Sequence, residues 1–358
     1  MLDEVLTAYG FHGDTQITPH GSGLINRTWL IGAPKGKFIL QQINNEVFST
    51  PSFIAENIER VSDWLTTHYP GSVFPKPVTA TIGGSLVERN GQSFRLYPFI
   101  ENSVTIDVAD TPSQAYEAAK KFGEFTRMLS LFPADTLHQT LPGFHDLSSR
   151  YKNFQLALEK GNQKRLQNAS RLIGYLVSQS NIVTEYETIC SNPEFRLRVT
   201  HHDTKISNVL FDKQGKGICV IDLDTMMPGY FISDVGDMLR TYLSPVSEEE
   251  KDVSRIIVRE SYFQAIVEGY MEEMREELTE TEKNAFVYAG EFMMDMQSLR
   301  FLTDYLNDDV YYGRKYEDHN YVRALNQAAL LLQYQEKSSL LRQITRDIAG
   351  TSSAARSE

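Results

Sequence analysis

The chain has 358 residues, 41% hydrophobic and 11% aromatic. That is an ordinary composition for a folded protein, but long for one core, since single cores stop growing at about 250–300 residues, so two lobes are expected. A formal net charge of −12 argues against broad nucleic-acid binding, which needs excess Lys and Arg to displace counterions from phosphates, and leaves room for a local basic pocket. The two cysteines, Cys190 and Cys219, make no disulfide framework or metal knuckle, and Cys219 in ICVIDL reads as a small core residue. The opening MLDEVLTAYG lacks the basic start and long apolar stretch of a secretion signal. No run approaches the roughly 18 apolar residues of a membrane span. The cytoplasm is the expected compartment, and neither nucleic acid nor membrane is an expected partner.

In chain order, Thr28–Ile31 and Lys37–Gln41 read as strands around an APKG turn at 33–36. After Pro51, Phe53, Ile54, Ile58, Val61 and Leu65 recur at helical spacing. Two further strand-like runs come next, at Ser72–Ile82 and Ser85–Ile100, with Gly83-Gly84 and Asn90-Gly91 as turns. From residue 112 the pattern becomes helical. Ala118, Phe122, Phe125, Leu129 and Phe132 share one face, and helices are predicted near 150–160, 163–189, 249–277, 281–306 and 323–349. Residues 208–224 are the β-like exception. The tail TSSAARSE is small and polar and is expected to be disordered. The organisation is a β-rich lobe over 1–101, then a mostly helical lobe over 102–358, with the boundary in LYPFIENS (96–103). A cleft between lobes is a common ligand site.

The densest chemistry is HHDTKISN, His201 to Asn208, followed by VLFD, a KQGKG turn and ICVIDLD. Two apolar runs around a Gly/Lys turn predict a hairpin. A turn centred on Gly215 sets Asn208 opposite Asp222, where Cβ atoms stand about 4.5–5.5 Å apart on one face. An amide oxygen and a carboxylate at that separation suit Mg²⁺, with phosphates completing its shell. His-x-Asp-x-x-x-x-Asn is also the spacing of a kinase catalytic loop, in which the Asp accepts a hydroxyl proton and the Asn holds Mg²⁺. A surface polar turn is the plain reading of HHDTKISN alone; the hairpin and the second acid favour the catalytic one. A two-histidine zinc site is disfavoured, because adjacent His201 and His202 point to opposite faces of an extended chain. His201 is expected to pack behind the loop and orient it, with His202 only a loop residue.

Upstream, HGSGLINRTWLI places two glycines around Ser22 before a strand. This reads either as an ordinary turn or as a backbone loop able to approach a phosphate. The strand position at which protein kinases carry a phosphate-binding lysine holds Gln41. Its expected helix partner, Glu59, either pairs with Gln41 or lies on a solvated face. Lys205 and Arg27 are candidate substitutes for the missing cation.

RVTHHDTKISNVLFD, VIDLDTMMPG and DVGDMLR resemble the aminoglycoside phosphotransferase and choline kinase superfamily, and within it the bacterial N-acetylhexosamine 1-kinases. GSGLINRTWLI, FILQQIN, RLYPFIENSV, FHDLSSRYKNF, LRFLTDYLNDDVYY and KYEDHNYVR extend the resemblance, in order, over about residues 20–340. The implied fold is α+β, two-lobed and protein-kinase-like. The implied activity is transfer of the ATP γ-phosphoryl group to the anomeric hydroxyl of GlcNAc or GalNAc, with Mg²⁺. Nucleotide and a small-molecule sugar are the implied partners, and the oligomeric state stays open. By the same match Asp203 is the base, Lys205 lies beside the transferred group, and Asn208 and Asp222 hold the metal. The nucleotide side falls to Gly21, Ser22, Gly23, Asn26, Thr28 and Gln41, with Phe99 to Glu101 passing the adenine. The family also carries Gln where Gln41 stands. Arg300 and Tyr311 match sugar-contacting positions.

Two departures lie on the acceptor side. Leu24 stands where a histidine is expected, and Thr241 where an aromatic residue is expected. They spare the phosphoryl machinery and leave the acceptor open to an aminoglycoside, choline, homoserine, a thiosugar or another hexose. A nucleotide-binding module without catalysis is the other class of reading; the complete set of Asp203, Asn208 and Asp222 argues against it.

Overall fold

The computed structural model describes residues 1–13, 15–21 and 25–350. Among these, the N-terminal region holds a five-stranded antiparallel sheet of order β1-β2-β3-β5-β4, made of β1 (Gln16–Pro19), β2 (Arg27–Ala33), β3 (Gly36–Ile43), β4 (Leu86–Arg89) and β5 (Gln92–Pro98). The 33–36 turn is as expected: Ala33 pairs with Gly36. Helix α1 (Leu2–Ala8) is an addition to the predicted elements; it lays Val5 and Leu6 on a small core with Ile31, Leu40, Phe94 and Leu96. The predicted strand over 72–82 does not form. Pro75 and Pro77 remove two ladder donors; among the described residues one backbone bond, Val78 N–H to Leu96 C=O (2.7 Å), joins the segment to the sheet, with Val78 and Ala80 packed on its core. The next run, 85–100, is the β4–β5 hairpin turning at Asn90-Gly91.

Helix α2 (Pro51–His68) carries the predicted stripe, but its Ile54, Ile58, Val61 and Leu65 belong to the large core that fills the helical region, with Phe122, Phe125, Phe211 and Met226. Asn57 adds polar stitches, donating to the carbonyls of His138 and Met226. Helix α2 is therefore seated on the helical body by shared apolar burial, the dominant favourable term in packing, and Ile43 of β3 joins the same core.

That body comprises α3 (Pro112–Met128), α4 (Leu147–Lys160), α5 (Gln163–Asn168), α6 (Ser170–Ser178), α7 (Ser180–Ser191), α8 (Phe231–Tyr242), α9 (Glu260–Met274), α10 (Glu280–Asn284), α11 (Phe286–Leu306), α12 (His319–Glu336) and α13 (Ser338–Gly350). The helix predicted over 249–277 begins only at Glu260. Two small antiparallel ladders are inset: β6 (Arg198–Thr200) with β9 (Met227–Gly229), and β7 (Val209–Phe211) with β8 (Gly217–Val220). Val104 and Phe211 exchange backbone bonds of 2.8 Å, fastening the chain leaving the sheet to β7. The arrangement is the expected two-part, kinase-like α+β fold. No helix among the described residues is long and apolar enough to cross a membrane. The 351–358 tail lies outside the described residues.

Candidate active site

The β6–β9 ladder delivers the chain to His201, and α8 holds the loop beyond it. Asp234, 1% exposed, accepts from the N–H groups of His201 (3.0 Å) and His202 (2.8 Å). Asp237 accepts from Thr204 N–H (2.8 Å). Burial pushes the Asp234 carboxyl up to about 6. It pushes Asp237 up as well, against Arg240, which pairs with it at 2.9 Å. His201 is fully buried, edge-on to Phe122 at 5.2 Å. Its Nδ1 accepts from Asp203 N–H (3.3 Å), and its Nε2 donates to Ile221 C=O (2.9 Å). It thus orients the loop as expected and links it to the strand leading to Asp222. His202 is more than a loop residue. It is 5% exposed, has φ of 65°, and contacts Thr200 C=O through Nδ1 (3.1 Å). Burial lowers its imidazole to about 4, so the ring is neutral at pH 7. A Cβ on Gly229 would meet His202 Nε2 at 2.6 Å, so the ring's place requires glycine there.

Asp203 emerges from this frame with its side chain 25% exposed, and Lys205 Nζ stands 3.1 Å from its Oδ2. Burial works against the Lys205 ammonium, but the carboxylate of Asp203, with those of Asp237 and Asp222, outweighs it and raises the group. Asn208 closes a 3₁₀ turn and donates from Nδ2 to Asp203 C=O (2.8 Å), which leaves its amide oxygen for a ligand. The hairpin register is one residue from expectation. Val209 pairs with Val220, a bulge falls between Leu210 and Phe211, and Asn208 faces Ile221. A one-residue slip alone would turn Asp222 to the other face. Asp222 instead adopts the left-handed region (φ 61°, ψ 63°), which carries it off the strand path and into the electrostatic field of Asp203. The residue as a whole is solvent-exposed. The protein mass around it, then the charges of Asp224 and Asp203, push it upward against Arg95 and Lys205. Crowded carboxylates with one free amide oxygen form a donor set that a hard divalent cation would relieve. Among the described residues no group of three or more His, Cys, Asp or Glu side chains forms a ready-made cage.

On the sheet side, Gln41 accepts from Arg95 Nε at 3.0 Å. Arg95 is also ion-paired with Asp224, the two side chains 3% and 4% exposed. The second Asp224 oxygen accepts from Asn26 Nδ2 (2.6 Å), and Asn26 Oδ1 accepts from Asn44 N–H (3.0 Å). Glu59 does not pair with Gln41, because its Oε1 accepts from Ser85 N–H (2.9 Å). Of the two candidate substitute cations, Lys205 pairs with Asp203, and Arg27, exposed at the start of β2 opposite Gln42, lines the same cavity as Gly21, Asn26 and Thr28. Gly21 (φ 76°), Asn26 and Thr28 line a cavity of about 260 Å³ with His20 and Trp29. Ser22, Gly23 and Leu24 lie outside the described residues. The Phe99 N–H is committed to Lys37 C=O (2.9 Å), and the exposed Glu101 carboxylate stands 3.6 Å from Lys37 Nζ.

On the other side, Arg300 is 8% exposed, 5.1 Å from the Phe144 ring and 5.6 Å from Tyr312. Its hydrogen bond is to Gln297 (3.3 Å), and no carboxylate among the described residues pairs with it. Arg150 donates to Phe144 C=O (3.2 Å) and, among the described residues, also lacks an acidic partner within 4 Å. Burial and the charge of Arg300 lower it. Tyr311 is 68% exposed, its N–H held by Asp304 at 2.7 Å. Thr241 Oγ1 bonds back to Asp237 C=O (2.6 Å) on its own helix. Sequence reasoning does not single out Arg150, Asp234, Asp237 or Arg95, although all stand in quoted segments; each acquires meaning only through a partner distant in sequence.

The model of the phosphotransferase enzyme family matches residues 16–276. Solved structures share the fold at low identity. A microcompartment-associated aminopropanol kinase superposes with a TM-score of 0.64 at 15% identity, covering 95% of this chain and 98% of that one. Choline kinase from Cryptosporidium parvum gives 0.56 at 11%, covering 94% of each. A spectinomycin phosphotransferase in complex with ADP and spectinomycin gives 0.53 at 13%, covering 97% of each.

Proposed function

Because this chain belongs to the phosphotransferase enzyme family, we propose that it is an ATP-dependent kinase of a small sugar, phosphorylating the anomeric hydroxyl of an N-acetylhexosamine. The observation that carries the reading is the gathering of Asp203, Lys205 and Asn208 around one loop, with Asp222 re-aimed toward them by its left-handed turn. Asp203 accepts the acceptor hydroxyl's proton as that oxygen attacks the γ-phosphorus of ATP and the bond from that phosphorus to the departing ADP breaks. Lys205, beside it, offsets charge on the transferred group. Positioning and electrostatics supply most of the catalysis in such reactions. Mg²⁺ held by Asn208 and Asp222 would supply charge neutralisation on the phosphates. The division of labour we propose gives nucleotide to residues 1–101 and catalysis and acceptor to 102–358.

The acceptor class draws support from Arg300 and Arg150. Two guanidinium groups without carboxylate partners among the described residues disfavour an acceptor with fixed positive charge, such as choline, ethanolamine or an aminoglycoside. They suit the hydroxyl and carbonyl oxygens of an acetylated sugar. The test is ADP release with GlcNAc, GalNAc, glucose, galactose, choline and kanamycin in parallel. Turnover restricted to the acetylated hexoses supports the proposal; turnover restricted to the amines overturns it.

A further inference from the structure

Position 41 on β3 is neutral, yet the floor of the sheet is not without a cation. Arg95 lies directly opposite Gln41 in the β3–β5 ladder and donates to its side-chain oxygen. Its charge is matched by Asp224, two residues beyond Asp222 in the same 3₁₀ turn. Asp224 also takes the Asn26 amide, so both its oxygens are held by the sheet region. The helix α2 acid that would ordinarily complete such a pair is engaged elsewhere, on Ser85 N–H. Arg95 and Asp224 are almost wholly buried. A buried ion pair is a poor route to stability, because desolvation consumes most of the attraction and apolar replacements often do as well. What this one achieves is geometric: it spans the two halves of the molecule and ends on the turn that carries Asp222.

We infer that Arg95 and Asp224 form the positioning pair of the nucleotide–metal end of the cleft. Arg95, buried against Gln41 and Asp224, does not replace the phosphate-facing cation; through Asp224 it fixes the Asp222 turn against the sheet. The ion pair is moved relative to the protein-kinase arrangement: the cation sits one strand over, and the acid comes from the metal-binding turn rather than from the helix. The inference rests on the phosphotransfer reading above. It predicts that loss of either partner removes chiefly the gain in nucleotide affinity that the metal confers.

The experiment is calorimetric titration of the full chain with ADP, in Mg²⁺ and in EDTA, for wild type, Arg95→Met, Arg95→Lys, Asp224→Asn and the Arg95→Met/Asp224→Asn double variant. Arg95→Met and Asp224→Asn are each expected to weaken MgADP at least tenfold and metal-free ADP less than threefold. The double variant should be no worse than either single one, and Arg95→Lys should recover part of the loss. If Arg95→Met does not fold, the shape-conserving Asp224→Asn and the charge-conserving Arg95→Lys carry the test. Folded variants that keep the wild-type response to Mg²⁺, or losses that simply add in the double variant, overturn the pairing while leaving the phosphotransfer reading intact. A wild-type chain that binds no MgADP overturns both.

Discussion

Asp234 is the residue through which the fold reaches the chemistry most directly, and its replacement can be worked through from the structure. Its carboxylate receives two backbone N–H groups, those of His201 and His202, immediately before Asp203. Hydrogen bonds to a charged group contribute roughly 1.5–3 kcal/mol each, so Asp234→Ala removes about 3–6 kcal/mol and strands two buried donors. Asp234→Asn keeps one acceptor oxygen and loses about half of that. The loop is then free to relax at His202, whose positive φ is held in place by these bonds. A misplacement of about 1 Å can cost on the order of 100-fold in rate, so kcat should fall by that order even where the protein stays folded. The pH dependence has a definite sign. Burial raises the Asp234 carboxyl from its ordinary 3.8 to about 6, so folding favours its protonated form. That contribution is fully present below 3.8 and is lost as pH rises through 6, a difference of about 3 kcal/mol at roughly 1.4 kcal/mol per unit. Urea denaturation of wild type and Asp234→Asn between pH 4 and pH 7 reads it directly. The stability of wild type relative to the variant should decline across that range and level off above pH 6. A pH-independent difference, with kcat of the variant within twofold of wild type, would refute the argument.

Three further outcomes are expected from the same geometry. Asp222→Ala should raise the Mg²⁺ concentration needed for half-maximal rate by tenfold or more, measured by metal titration at saturating ATP. Arg300→Met should raise the acceptor KM about 10- to 100-fold, the worth of one charged hydrogen bond, with the ATP KM unchanged; equal rises in both would remove Arg300 from the acceptor side. Gly236→Ala should destabilise by about 1–3 kcal/mol through overpacking, because a Cβ there would sit 2.4 Å from Ala289 C=O and 2.9 Å from Met293 Cβ, wedging α8 from α11. Thermal unfolding reads it.

What the sequence made legible was local. The spacing of Asp203 and Asn208 survives folding because five residues of one loop leave little freedom. The α3 stripe from Ala118 to Phe125 is buried as its period demands. What it concealed depended on distant partners or on a single extra residue. The bulge at Leu210/Phe211 moved the ladder by one position, and nothing in VLFDKQGKGICV marks where an extra residue sits. Arg95 looks in sequence like the outward residue of a half-exposed strand, but every residue from Ser93 to Tyr97 is buried, and its partner Asp224 lies in the other half of the chain. Helix α8 is missing from the predicted elements although Phe231, Ile232, Val235, Met238, Leu239 and Tyr242 recur at helical spacing; what its sequence conceals is that its two aspartates are buried and hold a loop rather than face solvent.

If Asp203 accepts the proton as a phosphoryl group passes to a sugar's anomeric oxygen, loss of its carboxylate should stop the reaction without releasing nucleotide. Wild type and Asp203→Asn are incubated with MgATP and GlcNAc, and product is followed by phosphorus NMR. A sugar 1-phosphate signal is expected from wild type, and from the variant a rate at least 1000-fold lower with MgATP still bound. Wild-type turnover in Asp203→Asn, or a product phosphorylated at another hydroxyl, would contradict that assignment.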